Sequence, residues 1–180
     1  MPPDSDNANA AVGPELLARL VDAHAATLVL YARQLCDVPE DAVQEALIEL
    51  ARQPTAPRQI VAWLYRVVRN KALSAARASQ RRRRHELSAA EHRRAWFGES
   101  PSGRIEAEEA TAALEQLPSE EREIVVAHLW GGLTFVQIGE LVGVSDSTAH
   151  RRYQSALSQL HEQLQSTSGE SCPPPDKTPR

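Results

Sequence analysis

Apolar residues recur at three- and four-residue steps along most of the chain, which is the spacing of amphipathic helices. A first helix is predicted over 14–37. A proline at position 39 suits the first turn of a new helix, so a second helix is predicted over 39–52. A third helix is predicted from Arg58, and its apolar periodicity is lost at the arginine run 81–84.

The second half of the chain contains three further helical patterns. A helix restarts at 117–123, where Ser119 can cap it. Thr134 and Gln137 have the spacing of a capping box, and a last helix is predicted to run to about residue 165. Three acidic residues suit the positive N-terminus of the helix that restarts at 117–123: Glu120, Glu121 and Glu123.

The spacing of residues within 133–157 is that of a helix-turn-helix. Gly143 permits a left-handed turn between two helices, and Ser145 caps the second helix. Gly139 is small enough for the two helices to pack closely. In this motif, the N-terminal residues of the second helix face base edges in the major groove of DNA. A plain helical hairpin with the same turn stays open as the alternative.

Composition favours helices over strands. Aromatic residues make up 4% of the chain, Ala and Leu dominate the apolar set, and long alternations of Val, Ile and Thr are missing. The predicted fold is therefore all-α, with two small helical domains joined by a flexible acidic linker, the second domain a helix-turn-helix. The expected boundaries are a disordered N-terminus at 1–13, a first domain at 14–85, a linker at 86–111, a second domain at 112–165 and a disordered tail at 166–180.

The net charge of −4 conceals an uneven distribution of charge along the chain. Residues 57–94 carry eleven Lys/Arg against two acids, whereas residues 95–123 carry two Lys/Arg against eight acids. Binding depends on such local patches. Trp63 and Tyr65 lie near the start of the basic segment. Cations beside aromatic rings suit single-stranded nucleic acid, because the cations neutralise phosphates and the rings stack with bases.

Other classes of protein find little support in the sequence. No apolar run approaches the roughly 20 residues of a membrane-spanning helix, and the polar N-terminus lacks a signal-peptide pattern. A cytoplasmic protein without membrane insertion is therefore expected. Cys36 is expected to be a buried thiol, far in sequence from Cys172, and no residues have the spacing of a metal site. Paired carboxylates, a nucleophile with its base and a Gly-rich phosphate loop are all missing, so no catalytic residue, metal or cofactor is expected.

Three segments of the chain together resemble a known family. PEDAVQEALIEL at 39–50 has an Asp, a Gln-Glu pair and an aliphatic run, and AWLYRVVRNKALSAAR at 62–77 has a Trp-Leu pair, an Arg and an Asn. Residues 117–160 add a Leu-Pro pair, an Arg and the helix-turn-helix. In this order, these segments resemble conserved regions two and four of the bacterial extracytoplasmic-function (ECF) sigma factors, over roughly 16–85 and 112–163.

The resemblance implies a sigma factor that binds core RNA polymerase and directs promoter-specific transcription initiation without catalysis of its own. The second helix would dock on the clamp coiled coil of the polymerase β′ subunit, and the β subunit would be a further contact. The core-binding residues that the resemblance implies are Asp41, Gln44, Glu45, Ile48 and Arg52.

Promoter DNA is the second partner that the resemblance implies. The third helix, with the loop 53–58, would bind and melt the −10 element, and the last helix would read the −35 element as duplex. The implied −10 residues are Trp63, Arg66, Arg69, Asn70, Lys71 and Arg77. The implied −35 residues are Ser147, Thr148, His150, Arg151, Arg152, Gln154 and Ser155.

Plainer interpretations compete with these roles. The charges at 41–45 are also consistent with a solvated helix face, and a large aromatic such as Trp63 is often a core residue. A stand-alone helix-turn-helix transcriptional regulator is the alternative function. Many members of the family are held by an anti-sigma protein, so an anti-sigma factor is a further candidate partner. His150 and Gln154 depart from the residues usual in the family's recognition helix, so no promoter sequence is inferred.

Overall fold

The computed structural model of the protein describes residues 12–85 and 113–168, and all regular secondary structure in these two ranges is helical. The predicted all-α fold with two helical domains is confirmed. The expected linker at 86–111 lies outside the described residues, as do most of the two terminal segments. The N-terminal domain consists of α1 (Pro14–Arg33), α2 (Pro39–Ala51) and α3 (Ile60–His85). The C-terminal domain consists of α4 (Ser119–Leu129), α5 (Phe135–Val142) and α6 (Asp146–Ser168), preceded by helical residues at 113–116.

Helix α3 differs from its prediction at both ends. It begins at Ile60 rather than at Arg58, with the Trp63 N–H donating to the Gln59 carbonyl at 2.9 Å. It also continues through the arginine run, where the apolar periodicity stops. Arginine is a good helix former, and Arg83 pairs with Asp37 of the α1–α2 loop at 3.2 Å. The last turns of α3 are therefore helical without apolar residues packed beneath them.

The helix caps are mostly as predicted. The capping box of α5 is present: the Gln137 N–H donates to the Thr134 hydroxyl, and the Thr134 N–H donates to the Gln137 side chain at 2.8 Å. Ser145 caps α6 by accepting from the Thr148 N–H at 3.1 Å. The predicted cap at Ser119 is wrong, because Pro118 occupies the cap position and Ser119 is already helical.

The turn between α5 and α6 depends on two glycines. Gly143 adopts a φ of 81°, the left-handed region that favours glycine. A Cβ added at Gly139 would lie 2.7 Å from the Val144 carbonyl oxygen, so the backbone of the turn approaches α5 more closely than a side chain allows. The inner face of α6, formed by Ala149, Tyr153 and Ala156, is buried as predicted. These features confirm the helix-turn-helix geometry.

Two buried tyrosines pack together where α1 meets α3. Tyr31 of α1 and Tyr65 of α3 are fully buried, and their rings meet edge to face with centroids 4.9 Å apart. Cys36 is a buried thiol, as predicted, beside Ala42 and Ala72. These contacts fix α1, α2 and α3 against one another, which determines the faces that α2 and α3 leave exposed.

Helix α4 is buried on every side along its centre. Five consecutive residues, 123–127, are buried, whereas a helix at a protein surface buries only one stripe. The helix packs on α5 and α6 of its own domain and also on α1 of the other domain, while α3 contacts α5. One apolar core therefore runs through both domains, and the domains are in direct contact.

Replacing Gly139 with Val is expected to destabilise the protein by about 1–3 kcal/mol, because the added carbons overpack the turn between α5 and α6. Thermal unfolding followed by circular dichroism measures the change. The control is Ser158→Val, which places the same branched side chain on an exposed position of α6 and should change the stability by less than about 0.5 kcal/mol. Equal stability of the two variants would contradict the close approach at Gly139.

Candidate nucleic-acid and polymerase interfaces

The residues predicted to bind polymerase lie on one exposed face of the N-terminal domain. On a helix with 3.6 residues per turn they fall within an arc of about 100°, opposite the buried residues Ala42, Ala46 and Leu50. Ile48 is 42% exposed in the middle of this face. The face is defined by Asp41, Gln44, Glu45, Ile48 and Arg52, all exposed, and is called the α2 face below. An exposed isoleucine among charges suits a protein partner better than it suits water.

Four of the six predicted −10 residues share one side of α3. Trp63, Arg66, Asn70 and Arg77 fall within an arc of about 60°, which is called the α3 face below. Arg66, Asn70 and Arg77 are exposed, and Trp63 is partly buried where it packs at the edge of the core. The structure thus brings together two cations, an amide and part of an indole ring on one surface, as stacking and phosphate contacts require.

Lys71 lies apart from that face and points towards α2. Its ammonium group is 3.1 Å from Glu49 and 3.5 Å from Glu45. The hydrogen bond and charge of Glu49, followed by those of Glu45, raise the pKa of Lys71. Two carboxylates therefore offset its charge, and Glu45 joins it to the α2 face rather than to the α3 face.

Arg69 is engaged by the C-terminal domain. Its Nε donates to the Glu123 carboxylate at 2.6 Å, and the Tyr31 hydroxyl donates to the same carboxylate at 2.5 Å. Burial alone would lower the pKa of Arg69, but the bond to Glu123 and its charge outweigh burial and raise the pKa. Burial first, and then the charge of Glu123, raises the pKa of Tyr31 well above its ordinary value. Tyr31 therefore keeps its proton and remains a donor at neutral pH.

Two further polar contacts join the domains beside Arg69. Arg66 pairs with Glu140 of α5 at 3.3 Å, with both side chains more than half exposed. Gln137 of α5 donates to the Gln59 side-chain oxygen at 2.9 Å. Such exposed contacts are individually weak, but they place the start of the helix-turn-helix against the start of α3.

The predicted −35 residues lie on the outer face of α6. They differ in whether other side chains of the protein contact them. Arg151 is exposed and has no ion-pair or hydrogen-bond partner among residues 12–85 and 113–168. Arg152 pairs with Glu120 at 2.5 Å, and the Thr148 hydroxyl accepts from Ser145. The ring of His150 lies against Phe135, with centroids 4.8 Å apart.

The other −35 candidates, Ser147, Gln154 and Ser155, are exposed. Gln154 lies 3.4 Å from a ring nitrogen of His150, and the Ser155 hydroxyl accepts from Gln159. Among the described residues of this face, Arg151 is the arginine whose charge no acid offsets.

The buried position of Glu123 differs from its sequence-based interpretation as one of three acids at a helix start. Glu123 is 4% exposed and bonded across the domain boundary. The available signal was the run IVVA at 124–127, directly after Glu123, which contains no polar residue. Such a run predicts a helix that is buried on all sides. Other elements must then cover α4 on both of its faces.

Within the two described ranges, His, Cys, Asp and Glu residues nowhere gather in threes as a metal site would require. No helix in these ranges has the length and hydropathy to cross a bilayer.

Comparison with known families gives two matches. The sequence profile of sigma-70 region 2 matches residues 20–82, and that of sigma-70 region 4 matches residues 107–160. The first match covers all of α2 and most of α1 and α3, and the second covers α4, α5 and the first turns of α6. A comparison with curated proteins by sequence gives no match.

Two solved structures have a similar fold. CnrH, in complex with the cytosolic domain of CnrY, is 21% identical, with a TM-score of 0.58 over 86% of this chain and 90% of that chain. The sigma factor RpoE of Bartonella quintana, in complex with the anti-sigma factor NepR, is also 21% identical, with a TM-score of 0.61 over 85% of this chain and 98% of that chain. At this identity the likeness concerns the fold.

Region 2 precedes region 4 in one chain, and the elements that the two profiles match are the helices that present the α2 face, the α3 face and the helix-turn-helix. The protein therefore belongs to the sigma-70 family, with the pairing of regions that is typical of ECF sigma factors.

Proposed function

We propose that this sigma factor binds core RNA polymerase through its α2 face, captures the −10 element on its α3 face and reads the −35 element with α6. The observation that carries the proposal is the joint presence of regions 2 and 4, each with its candidate residues on an exposed helix face. The chain supplies specificity and the polymerase supplies the chemistry, so no catalytic residue, metal or cofactor of its own is required. Its place of action is then the cytoplasm, with the polymerase.

The α2 face is the proposed contact with the clamp coiled coil of the β′ subunit. Ile48 supplies an apolar centre, and Asp41, Gln44, Glu45 and Arg52 supply a polar rim around it. An apolar anchor within a polar rim is the arrangement that protein interfaces favour. The β subunit is a second proposed contact of the polymerase with the chain.

The α3 face is the proposed site for the −10 element. Arg66 and Arg77 suit phosphates, the partly buried Trp63 suits stacking, and the exposed Asn70 suits hydrogen bonds with base edges. Arg69 joins them only when Glu123 releases it. Lys71 supports the site indirectly, because it connects α3 to α2 through two carboxylates.

Helix α6 is the proposed reader of the −35 duplex. Its N-terminal residues follow the helix-turn-helix turn, the position that enters the major groove. Arg151 suits bidentate contact with guanine, and Ser147, Gln154 and Ser155 suit polar contacts with bases or phosphates. Thr148 is proposed as a phosphate contact that also completes the cap.

A stand-alone helix-turn-helix regulator is not favoured. Such a protein needs only the C-terminal domain, whereas the region 2 match spans residues 20–82 and includes both the α2 face and the α3 face. An anti-sigma factor is a proposed further partner, since both similar structures are complexes and NepR is an anti-sigma factor.

Run-off transcription with purified core polymerase tests the proposal. The chain should bind the core and stimulate transcription from a subset of genomic promoters. Binding to duplex palindromes without polymerase, together with no stimulation from any promoter, would instead support the regulator.

Replacing Ile48 with Asp should weaken binding to core polymerase by at least about tenfold, because a charge replaces the apolar anchor of the α2 face. Fluorescence anisotropy with labelled sigma factor measures the affinity. Val21 on α1 is also exposed, at 37%, so Val21→Asp is the matched control and should bind the core normally. Equal losses in the two variants would contradict the assignment of the α2 face.

Replacing Asn70 with Ala should lower open-complex formation by about tenfold while leaving core binding intact, because one good base contact is worth about 1–3 kcal/mol. Permanganate footprinting of melted promoter DNA measures the open complex. The control is Gln80→Ala, an exposed amide on α3 that lies outside the α3 face. Unchanged melting by the Asn70 variant would remove this residue from the site.

A further inference from the structure

One side of α6 rests on an aromatic ring that α5 supplies. Phe135 of α5 and His150 of α6 meet edge to face, with ring centroids 4.8 Å apart and ring planes at 80°. Phe135 is partly buried, whereas His150 is exposed among the residues proposed to face DNA. Phe135 is not one of the predicted −35 residues, yet its ring limits where the imidazole of His150 can lie.

The ring of Phe135 is itself fixed by two further rings. His128 stacks on it with centroids 4.4 Å apart, and the buried Tyr153 has its centroid 5.4 Å away. His128 is held in turn, because its Nδ1 lies 2.8 Å from the Leu133 carbonyl oxygen. A carbonyl oxygen only accepts, so Nδ1 is the donor of this bond. Phe135 is therefore a rigid support for His150.

His150 orients the amide of Gln154, one helical turn further along α6. The Gln154 amide nitrogen lies 3.4 Å from Nε2 of His150, within reach of a long hydrogen bond. An amide nitrogen donates and does not accept, so Nε2 accepts this bond. One N–H and the carbonyl oxygen of Gln154 remain available. Both residues share an exposed arc of about 100° with Ser147 and Arg151.

The groups that remain available on Gln154 match one base. In the major groove, adenine presents a donor, its N6 amino group, beside an acceptor, N7. The Gln154 oxygen can accept from N6 while the remaining N–H donates to N7. Guanine presents two acceptors at the same edge and can take only one of these bonds. A side chain that is already oriented loses less conformational entropy when it binds.

We infer that Phe135 is a positioning residue for readout of the −35 element: through His150 it holds the Gln154 amide in the orientation that selects adenine at one base pair. The preference at the other base pairs of the element does not depend on Phe135. This inference rests on the proposed function of α6 as the reader of the −35 duplex. It adds a residue outside α6 that sets the specificity of that reader.

The test measures base preference with the full-length chain in complex with core polymerase. A promoter that the wild type transcribes is prepared with its −35 region randomised, and the DNA retained in heparin-resistant complexes is sequenced. Gln154→Ala identifies the base pair concerned, as the position at which a preference for adenine disappears. Phe135→Leu removes the supporting ring, Phe135→Tyr keeps it, and His150→Ala removes the imidazole. Val136→Ala is the matched control on α5, at a position that is 57% exposed.

At the base pair identified, the wild type should prefer adenine over guanine by about tenfold, as expected of one good bidentate contact. Phe135→Leu and His150→Ala should each lower this preference to about threefold or less, because the amide is no longer oriented before binding. Phe135→Tyr and Val136→Ala should keep it. The double variant Phe135→Leu/His150→Ala should lower it no further than either change alone, since both act through the same amide.

An adenine preference that survives in folded Phe135→Leu would overturn the inference. A loss of DNA binding that is equal for all sequences would also overturn it, because that result indicates a purely structural role of the ring. Circular dichroism checks that each variant is folded. If Phe135→Leu does not fold, Phe135→Met decides by the same measurement, since it keeps a large apolar side chain without the ring.

The same experiment separates failure of the inference from failure of the proposed function. A wild type that forms complexes, but with no base pair sensitive to Gln154→Ala, contradicts the inference alone. A wild type that neither binds the core nor forms complexes at any promoter contradicts the proposed function.

Discussion

The carboxylate of Glu123 is the charge on which the arrangement of the whole molecule depends. It lies on α4, whose central residues are buried on all sides, between the helices of the N-terminal domain and the helix-turn-helix. Its two donors, Tyr31 and Arg69, both come from the other domain. A buried charge tolerates few alternatives, because the loss of one partner leaves it uncompensated. Tyr31, Arg69 and Glu123 therefore help to set where the C-terminal domain sits against the N-terminal domain.

That position has opposite consequences for the two proposed functional faces of the N-terminal domain. The α2 face remains open, with Ile48 at its centre. The α3 face is divided: Asn70 and Arg77 have no polar partner among residues 12–85 and 113–168, while Arg66 and the neighbouring Arg69 are bonded to acids of the C-terminal domain.

Much of the fold was predictable because its signals are local. The capping box of Thr134 and Gln137, the left-handed Gly143 and the inner face of α6 each depend on a few neighbouring residues, and each is as expected. The exposure of the candidate residues on α2 followed from helical periodicity in the same way. Apart from the local error at Ser119, where Pro118 takes the cap position, the failures come from contacts distant in sequence. The arginine run stays helical and is tied back to Asp37, and Glu123 finds donors 92 and 54 residues away. The spacing of residues does not specify those pairs. The unbroken apolar run after Glu123 does predict that α4 packs against a helix beyond its own domain.

The distance between the two domains, measured in the wild type and in Glu123→Gln, tests the account most directly. Labels at Ala23 of α1 and Ser158 of α6, both exposed, with Cys172 replaced by Ser, report it by double electron–electron resonance. The account predicts a short, narrow distance distribution in the wild type and a broader one in Glu123→Gln, which lacks the charge that Arg69 binds. The same distribution in both proteins, or a broad one in the wild type, would contradict it.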